Sequence, residues 1–165
     1  MHGPVTFVRM ALFRVSLVAL YAIAAWLNAG GWLMGTPATV AGQVATWLAL
    51  LAWPGYGAAS GFADQSLGRK AWFFPVVFWM LVVVAVGVGW LTLFRLPPAS
   101  LVDGGLVGGL LYFIGTAPFY GLTAPFPAVH GSPAAVIGVS AGVLLSTLAA
   151  NRLAGGARLA APPVS

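Results

Sequence analysis

Long apolar runs, separated by short clusters of polar and helix-breaking residues, make up almost the whole chain. They cover about residues 7–34, 37–60, 72–94, 101–122 and 133–150. Roughly 20 apolar residues in helical conformation cross a bilayer. The pattern therefore predicts an all-α integral membrane protein, a compact bundle of about five transmembrane segments. Residues 1–155 form one polytopic domain in this reading, and residues 156–165 a short disordered tail.

The breaks between the runs carry the expected signals. Asn28, Gly30, Gly31 and Gly35 close the first run, and Thr36-Pro37 reads as a cap followed by Pro at the first position of the second helix. Pro54-Gly55 interrupts the second run near its end. Residues 54–57 (PGYG) end in the letters of a potassium filter. They lack the preceding Thr-Val ladder and read as a helix-ending turn. Asp64 to Lys70 form the one clearly hydrophilic loop. Arg95 and Pro97-Pro98 stop the third run, and Ser100 and Asp103 have capping-box spacing. Pro118, Pro125 and Pro127 break the backbone after the Gly-rich fourth run. Ser132-Pro133 opens the last run, and Asn151, Arg152 and Gly155-Gly156 end it.

Composition turns this pattern into an environment. The chain is 61% hydrophobic and 5% charged, against about 25% charged in ordinary soluble domains. Its mean hydropathy is +0.99. Nothing is left over for a polar coat, so the solvent is lipid. The first run, with Arg9 and Arg14 ahead of it, is read as a retained span because the segments after it are equally apolar. The predicted location is a multi-pass position in a membrane, taken to be the bacterial cytoplasmic membrane.

Charge then raises a question of topology. The basic residues are Arg9, Arg14, Arg69, Lys70, Arg95, Arg152 and Arg158, and the acids are Asp64 and Asp103. Basic residues gather on the cytoplasmic side of spans. With five full spans they divide four against three, which orients nothing. If the Gly/Pro-rich segment of residues 101–130 re-enters instead, Arg95 stands alone against six. Re-entrant backbone requires cover by protein or a wet cavity. Five spans are the first expectation, because residues 101–122 are long enough to cross. Four spans plus a re-entrant segment are the alternative.

The candidate chemistry is sparse. There is no Cys, which excludes disulfides, thiolate metal sites and iron–sulfur clusters. His130 has no second His or carboxylate near it in sequence, so no metal site is expected. The basic residues form no run interleaved with aromatics, and nucleic acid is not an expected partner. No cofactor is indicated. Gly138 to Gly142 spell G-x-S-x-G around Ser140, but in the middle of a predicted helix rather than on a strand-to-helix turn. A pair of Ser140 with His130 is the only nucleophile–base combination to consider, and no catalytic residue is assigned.

Two features remain. Gly138, Gly142, Ser146 and Ala150 recur every fourth residue, as do Gly104 and Gly108. Such stripes let helices approach closely in lipid. Asp103, with Arg95 or His130, is the one possible polar site at a segment entrance. The uncharged polar residues Asn28, Gln43, Thr46, Ser60, Thr116, Ser140, Ser146 and Thr147 read first as interhelical hydrogen bonds. The expected function is that of a structural or accessory subunit in a larger membrane complex, with the bilayer and other membrane subunits or copies of itself as partners. A small oligomeric transporter or channel for a neutral or apolar solute is the second reading. An intramembrane enzyme is the third. Proton or sodium coupling is disfavoured, because no carboxylate falls at mid-span.

Overall fold

The structure, a computed structural model, describes residues 4–63, 72–94, 98–126 and 132–160, with side chains for residues 7–63, 72–94, 105–126 and 132–156. Five long helices form it: α1 (Pro4–Met34), α2 (Val40–Phe62), α3 (Phe73–Phe94), α4 (Pro98–Thr116) and α6 (Pro133–Ala160). A 3-10 turn at Ala117–Phe119 and one helical turn, α5 (Tyr120–Thr123), follow α4. There is no strand among the described residues. Four stretches, Phe7–Met34, Phe73–Phe94, Gly105–Thr123 and Pro133–Gly156, are long and apolar enough to cross a membrane. The chain is an all-α, multi-pass membrane bundle.

The remaining helix, α2, is 23 residues long but mixes Gly, Gln, Thr and Ser into its apolar residues. Its position accounts for this. It packs on α6, α1 and α5, and residues from Gly42 to Ser60 are buried along its length. The packed side of this helix gains from small residues, while Val44, Trp47, Leu48 and Leu51 form an exposed apolar stripe on its other side.

The helix ends differ from the sequence reading in three places. Gly35 sits at φ +63° and the Thr36 N–H bonds to the Gly31 carbonyl at 3.1 Å. This is a Schellman close of α1, which Gly accepts without strain. Thr36 is thereby used to end α1, and the cap of α2 is Thr39, whose hydroxyl accepts from Gly42 N at 3.1 Å. The Pro54-Gly55 segment does not end α2, because the helix continues to Phe62 with Pro54 inside it. Packing of the following turns on α6 outweighs the lost backbone donor. Likewise α6 runs past Asn151 and Gly156 to Ala160. Residues 161–165 of the expected tail lie outside the described residues.

Contacts along the helices fix their directions. Asn28 meets Gly42 and Thr46 while Arg14 meets Tyr56, so α1 and α2 are antiparallel. Arg14 lies by Phe74 and Tyr21 by Phe78 and Trp79, so α3 runs with α1. Gly89 abuts Tyr112 and Val86 abuts Gly115, so α4 runs against α3. Gly57 abuts Thr147 and Gly61 abuts Asn151, a constant offset that makes α6 parallel to α2. The start of α6 therefore lies at the end of the bundle that carries the α1–α2 connection. That is also the end at which α3 finishes. The chain enters α4 and leaves α5 at this same end, and the segment stops part-way down the bundle at Phe119. Over the described residues 98–126 the chain thus follows the re-entrant arrangement of the two considered, entering and leaving at one end.

Glycines mark where the helices meet. A Cβ on Gly57 would strike the Thr147 backbone, one on Gly61 the Asn151 carbonyl, and one on Gly89 would come 2.6 Å from Tyr112 N. In contrast, nothing lies within 4 Å of such a Cβ at Gly138 or Gly142.

Two outcomes follow. In a chain without native Cys, single cysteines replacing Pro37 and Ser132 should label from one side of the membrane, and one replacing Gly156 from the other. Labelling of positions 37 and 132 from opposite sides would establish five crossings. Gly57→Ala and Gly61→Ala should each cost about 1–3 kcal/mol by overpacking. Gly138→Ala and Gly142→Ala should stay within about 0.5 kcal/mol, all read by unfolding of the isolated chain in detergent.

Candidate functional site

Pro118 creates the local problem that organises the interior. It has no N–H, so the carbonyl of Ile114, four residues earlier, lacks its helical donor. The Tyr21 hydroxyl of α1 donates to that carbonyl at 3.1 Å. The helix then tightens into the 3-10 turn, and the freed Pro118 carbonyl lies 2.8 Å from the Thr46 hydroxyl of α2. Thr46 is in turn held by Asn28, whose amide nitrogen is 3.1 Å from its Oγ1, 2.8 Å from the Ala24 carbonyl and 3.2 Å from the Gly42 carbonyl. One helical level away, Trp32 Nε1 donates to Thr116 Oγ1 at 3.0 Å, and Thr116 donates to the Tyr112 carbonyl at 2.6 Å. The Tyr120 hydroxyl donates to the Thr36 carbonyl. The turn is thus tied to α1, α2 and their connection by side chains that, apart from the half-buried Trp32, are almost fully buried.

Above this layer a concave site of about 450 Å³ opens at the end of the bundle, lined by Gly35–Ala38, Gln43, Tyr120, Ala124 and Pro125. Below it the core is aromatic. Tyr21 packs edge-on against Phe78, Trp79 and Phe119, and Trp53 lies 4.7 Å from Phe78 and 5.3 Å from Trp79 between ring centroids. At the opposite end Arg14 Nε donates to the Tyr56 hydroxyl at 2.8 Å, and the guanidinium lies 5.5 Å from the Phe74 ring centre. Arg14 thus turns inward, where the faces of Tyr56 and Phe74 attract the cation.

Among the described side chains, four buried polar atoms have no hydrogen-bond partner: Asn28 Oδ1, Trp53 Nε1, Trp79 Nε1 and Ser140 Oγ. The α2–α6 register places Ser140 beside residue 50, one turn from Trp53. These groups can donate to or accept from a neutral molecule or an ordered water. They cannot move a proton near neutral pH. Among the described side chains there is no carboxylate, and no cluster of His, Cys, Asp or Glu able to hold a metal.

The expected site residues are placed as follows. Gly108 faces Thr92 of α3, whose hydroxyl a Cβ would meet. Gly138, Gly142 and Ser146 lie on the outward face of α6, and Ala150 is half-buried. The Ser146 hydroxyl bonds back to Val143. Ser140 is mid-helix and buried, away from any strand-to-helix turn. Arg95 and His130 lie outside the described residues, as do the side chains of Asp103 and Gly104.

The interhelical reading of the buried polar residues holds for Asn28, Thr46, Thr116 and Ser60. The last accepts from Asn151 Nδ2 at 2.7 Å. Gly57 and Gly61 were missed as packing residues, although their G-x-x-x-G spacing was visible. Tyr21 as the partner of a Pro-freed carbonyl had no sequence signal at all. No protein-family model, no curated protein and no solved structure matches this chain.

The polar layer predicts its own energetics. Thr46→Val and Tyr21→Phe should each cost about 1–2 kcal/mol by stranding a carbonyl, while Thr46→Ser should stay within about 0.5 kcal/mol. Chemical unfolding in detergent reads the loss. Faster amide exchange at residues 117–123 locates it.

Proposed function

We propose that this chain is an accessory subunit that packs against another membrane protein through the outer face of α6. One observation carries the reading. The small residues that face inward, Gly57, Gly61, Gly89, Gly108, Gly115 and Gly121, are all in close contact with a neighbouring helix. Gly138 and Gly142 have the same spacing and nothing against them. A lipid-facing helix gains nothing from glycine there, since glycine weakens a helix. A close-approaching partner helix would use it. The interior supports the reading from the other side, because it is filled by aromatic rings and interhelical hydrogen bonds rather than by a reactive constellation.

The second reading, passage of a small neutral solute, has its own support. The 450 Å³ site lies over a re-entrant segment, and broken helices of this kind line paths in transporters. The unpartnered Trp53, Trp79 and Ser140 groups would then be its polar contacts.

Single cysteines at Gly142 and, as a lipid-facing control on a different helix, at Leu81 of α3 distinguish the two. The accessory reading expects crosslinking from position 142 in native membranes to a partner that co-purifies in fixed ratio. Gly142→Leu should remove that partner while leaving the isolated chain folded. A chain that purifies alone, with unchanged behaviour on Gly142→Leu, rejects this reading.

A further inference from the structure

The basic residues and one lateral groove belong to the same end of the bundle. Arg9, Arg14 and Arg152 all lie near the level of residues 56–62 of α2, as the α1–α2 and α2–α6 registers require. The sequence adds Arg69 and Lys70, together with the acid Asp64, between α2 and α3, and Arg158 in α6. In the sequence Arg95 follows α3, the one basic residue of the chain between α3 and α4. This six-to-one bias makes the basic end cytoplasmic under the positive-inside rule, and the cytoplasmic leaflet is the one rich in anionic headgroups.

At this end a groove of about 650 Å³ lies between the start of α3 and α6, lined by Trp72, Leu145, Leu148, Ala149, Asn151 and Arg152. Its wall is ordered by chemistry. Leu145, then Leu148 and Ala149, then Arg152 follow one line along α6 toward the membrane surface. The apolar part comes first and the cation last, in the order of an acyl chain and a headgroup phosphate. Trp72 forms the other side and is half exposed, at the level where indole rings prefer the headgroup boundary. Asn151 uses its amide nitrogen inward, on the Gly57 carbonyl and Ser60. Arg152 is exposed, and no carboxylate is found among the described side chains to pair with it.

We propose that this groove is a binding site for one anionic phospholipid, with its phosphate on the Arg152 guanidinium and an acyl chain along Leu145 and Leu148. The planar guanidinium can hold two phosphate oxygens at once. The groove and the Gly138–Gly142 stripe share the outward side of α6, the groove lying nearer its C-terminal end, and the lipid assay on the isolated chain reads the groove without a protein partner.

The test uses the full chain purified in detergent, with phosphatidylglycerol, phosphatidylcholine or inorganic phosphate added, read by native mass spectrometry and by thermal unfolding. Phosphatidylglycerol should be retained as a single bound lipid and should raise the melting temperature, with phosphatidylcholine held at least roughly fivefold more weakly. Arg152→Gln should remove that preference, and Arg9→Gln should leave it intact. Ala149→Trp, which fills the groove but keeps every charge, should also release the lipid. Equal retention of both lipids overturns the site. So does an equal loss in Arg9→Gln and Arg152→Gln, which would mean diffuse surface charge. Stabilisation by inorganic phosphate matching that by the lipid overturns the lipid assignment, and retention by Ala149→Trp overturns the groove.

Discussion

The contact between the Thr46 hydroxyl and the Pro118 carbonyl, at 2.8 Å, is what the interior of this bundle is arranged around. Within the hydrocarbon there is no water to satisfy a backbone group, so a break in a helix must be answered by protein. Pro118 frees the Ile114 carbonyl, and the switch from α-helix to 3-10 turn that follows brings its own carbonyl to Thr46. Tyr21 and Thr46 meet the two carbonyls from two different helices. Asn28 fixes Thr46, and Trp32 fixes the preceding Thr116. The re-entrant segment is therefore held by side chains on α1 and α2, and those helices must stand where the hydroxyls reach.

That requirement sets the distances in the rest of the fold. α5 comes close enough to α2 that a Cβ on Gly121 would lie 2.6 Å from Thr46 Oγ1. α2 in turn lies against α6 through Gly57 and Gly61. Because α2 packs on three neighbours in this way, its inward side carries small and polar residues, while Val44, Trp47, Leu48 and Leu51 keep its outward side apolar. The aromatic cluster of Tyr21, Trp53, Phe78, Trp79 and Phe119 fills the space below the end of the short segment, where a full-length helix would otherwise stand.

The topology also gives the charges a meaning they lacked as a list. Arg152 and Arg9 share one end of the bundle only because α6 runs parallel to α2. That parallel course is possible only because α4 and α5 return to the end they entered. One proline-broken segment thereby links the interior hydrogen bonds, the distribution of basic residues and the character of the surface groove at Trp72 and Arg152.

Composition and the spacing of apolar runs were enough to establish a helical membrane bundle and the extents of α1 and α3, because a lipid environment forces helix wherever the chain is long and apolar. The break at Pro118 was legible for the same reason, since a missing N–H is a property of the residue itself. The end of α2 was not. Pro54-Gly55 looks like a terminus along the chain, and only the packing of Gly57, Ser60 and Gly61 against Asn151 carries the helix on. The inward turn of Arg14 onto Tyr56, the use of Tyr21 by the Ile114 carbonyl and the outward face of Gly138 and Gly142 were likewise hidden. Sequence periodicity gives a face but not its neighbour. Which helix stands opposite, and in which direction it runs, was decided by tertiary packing, where hydrogen-bond satisfaction and close backbone approach are properties of pairs of segments rather than of either one.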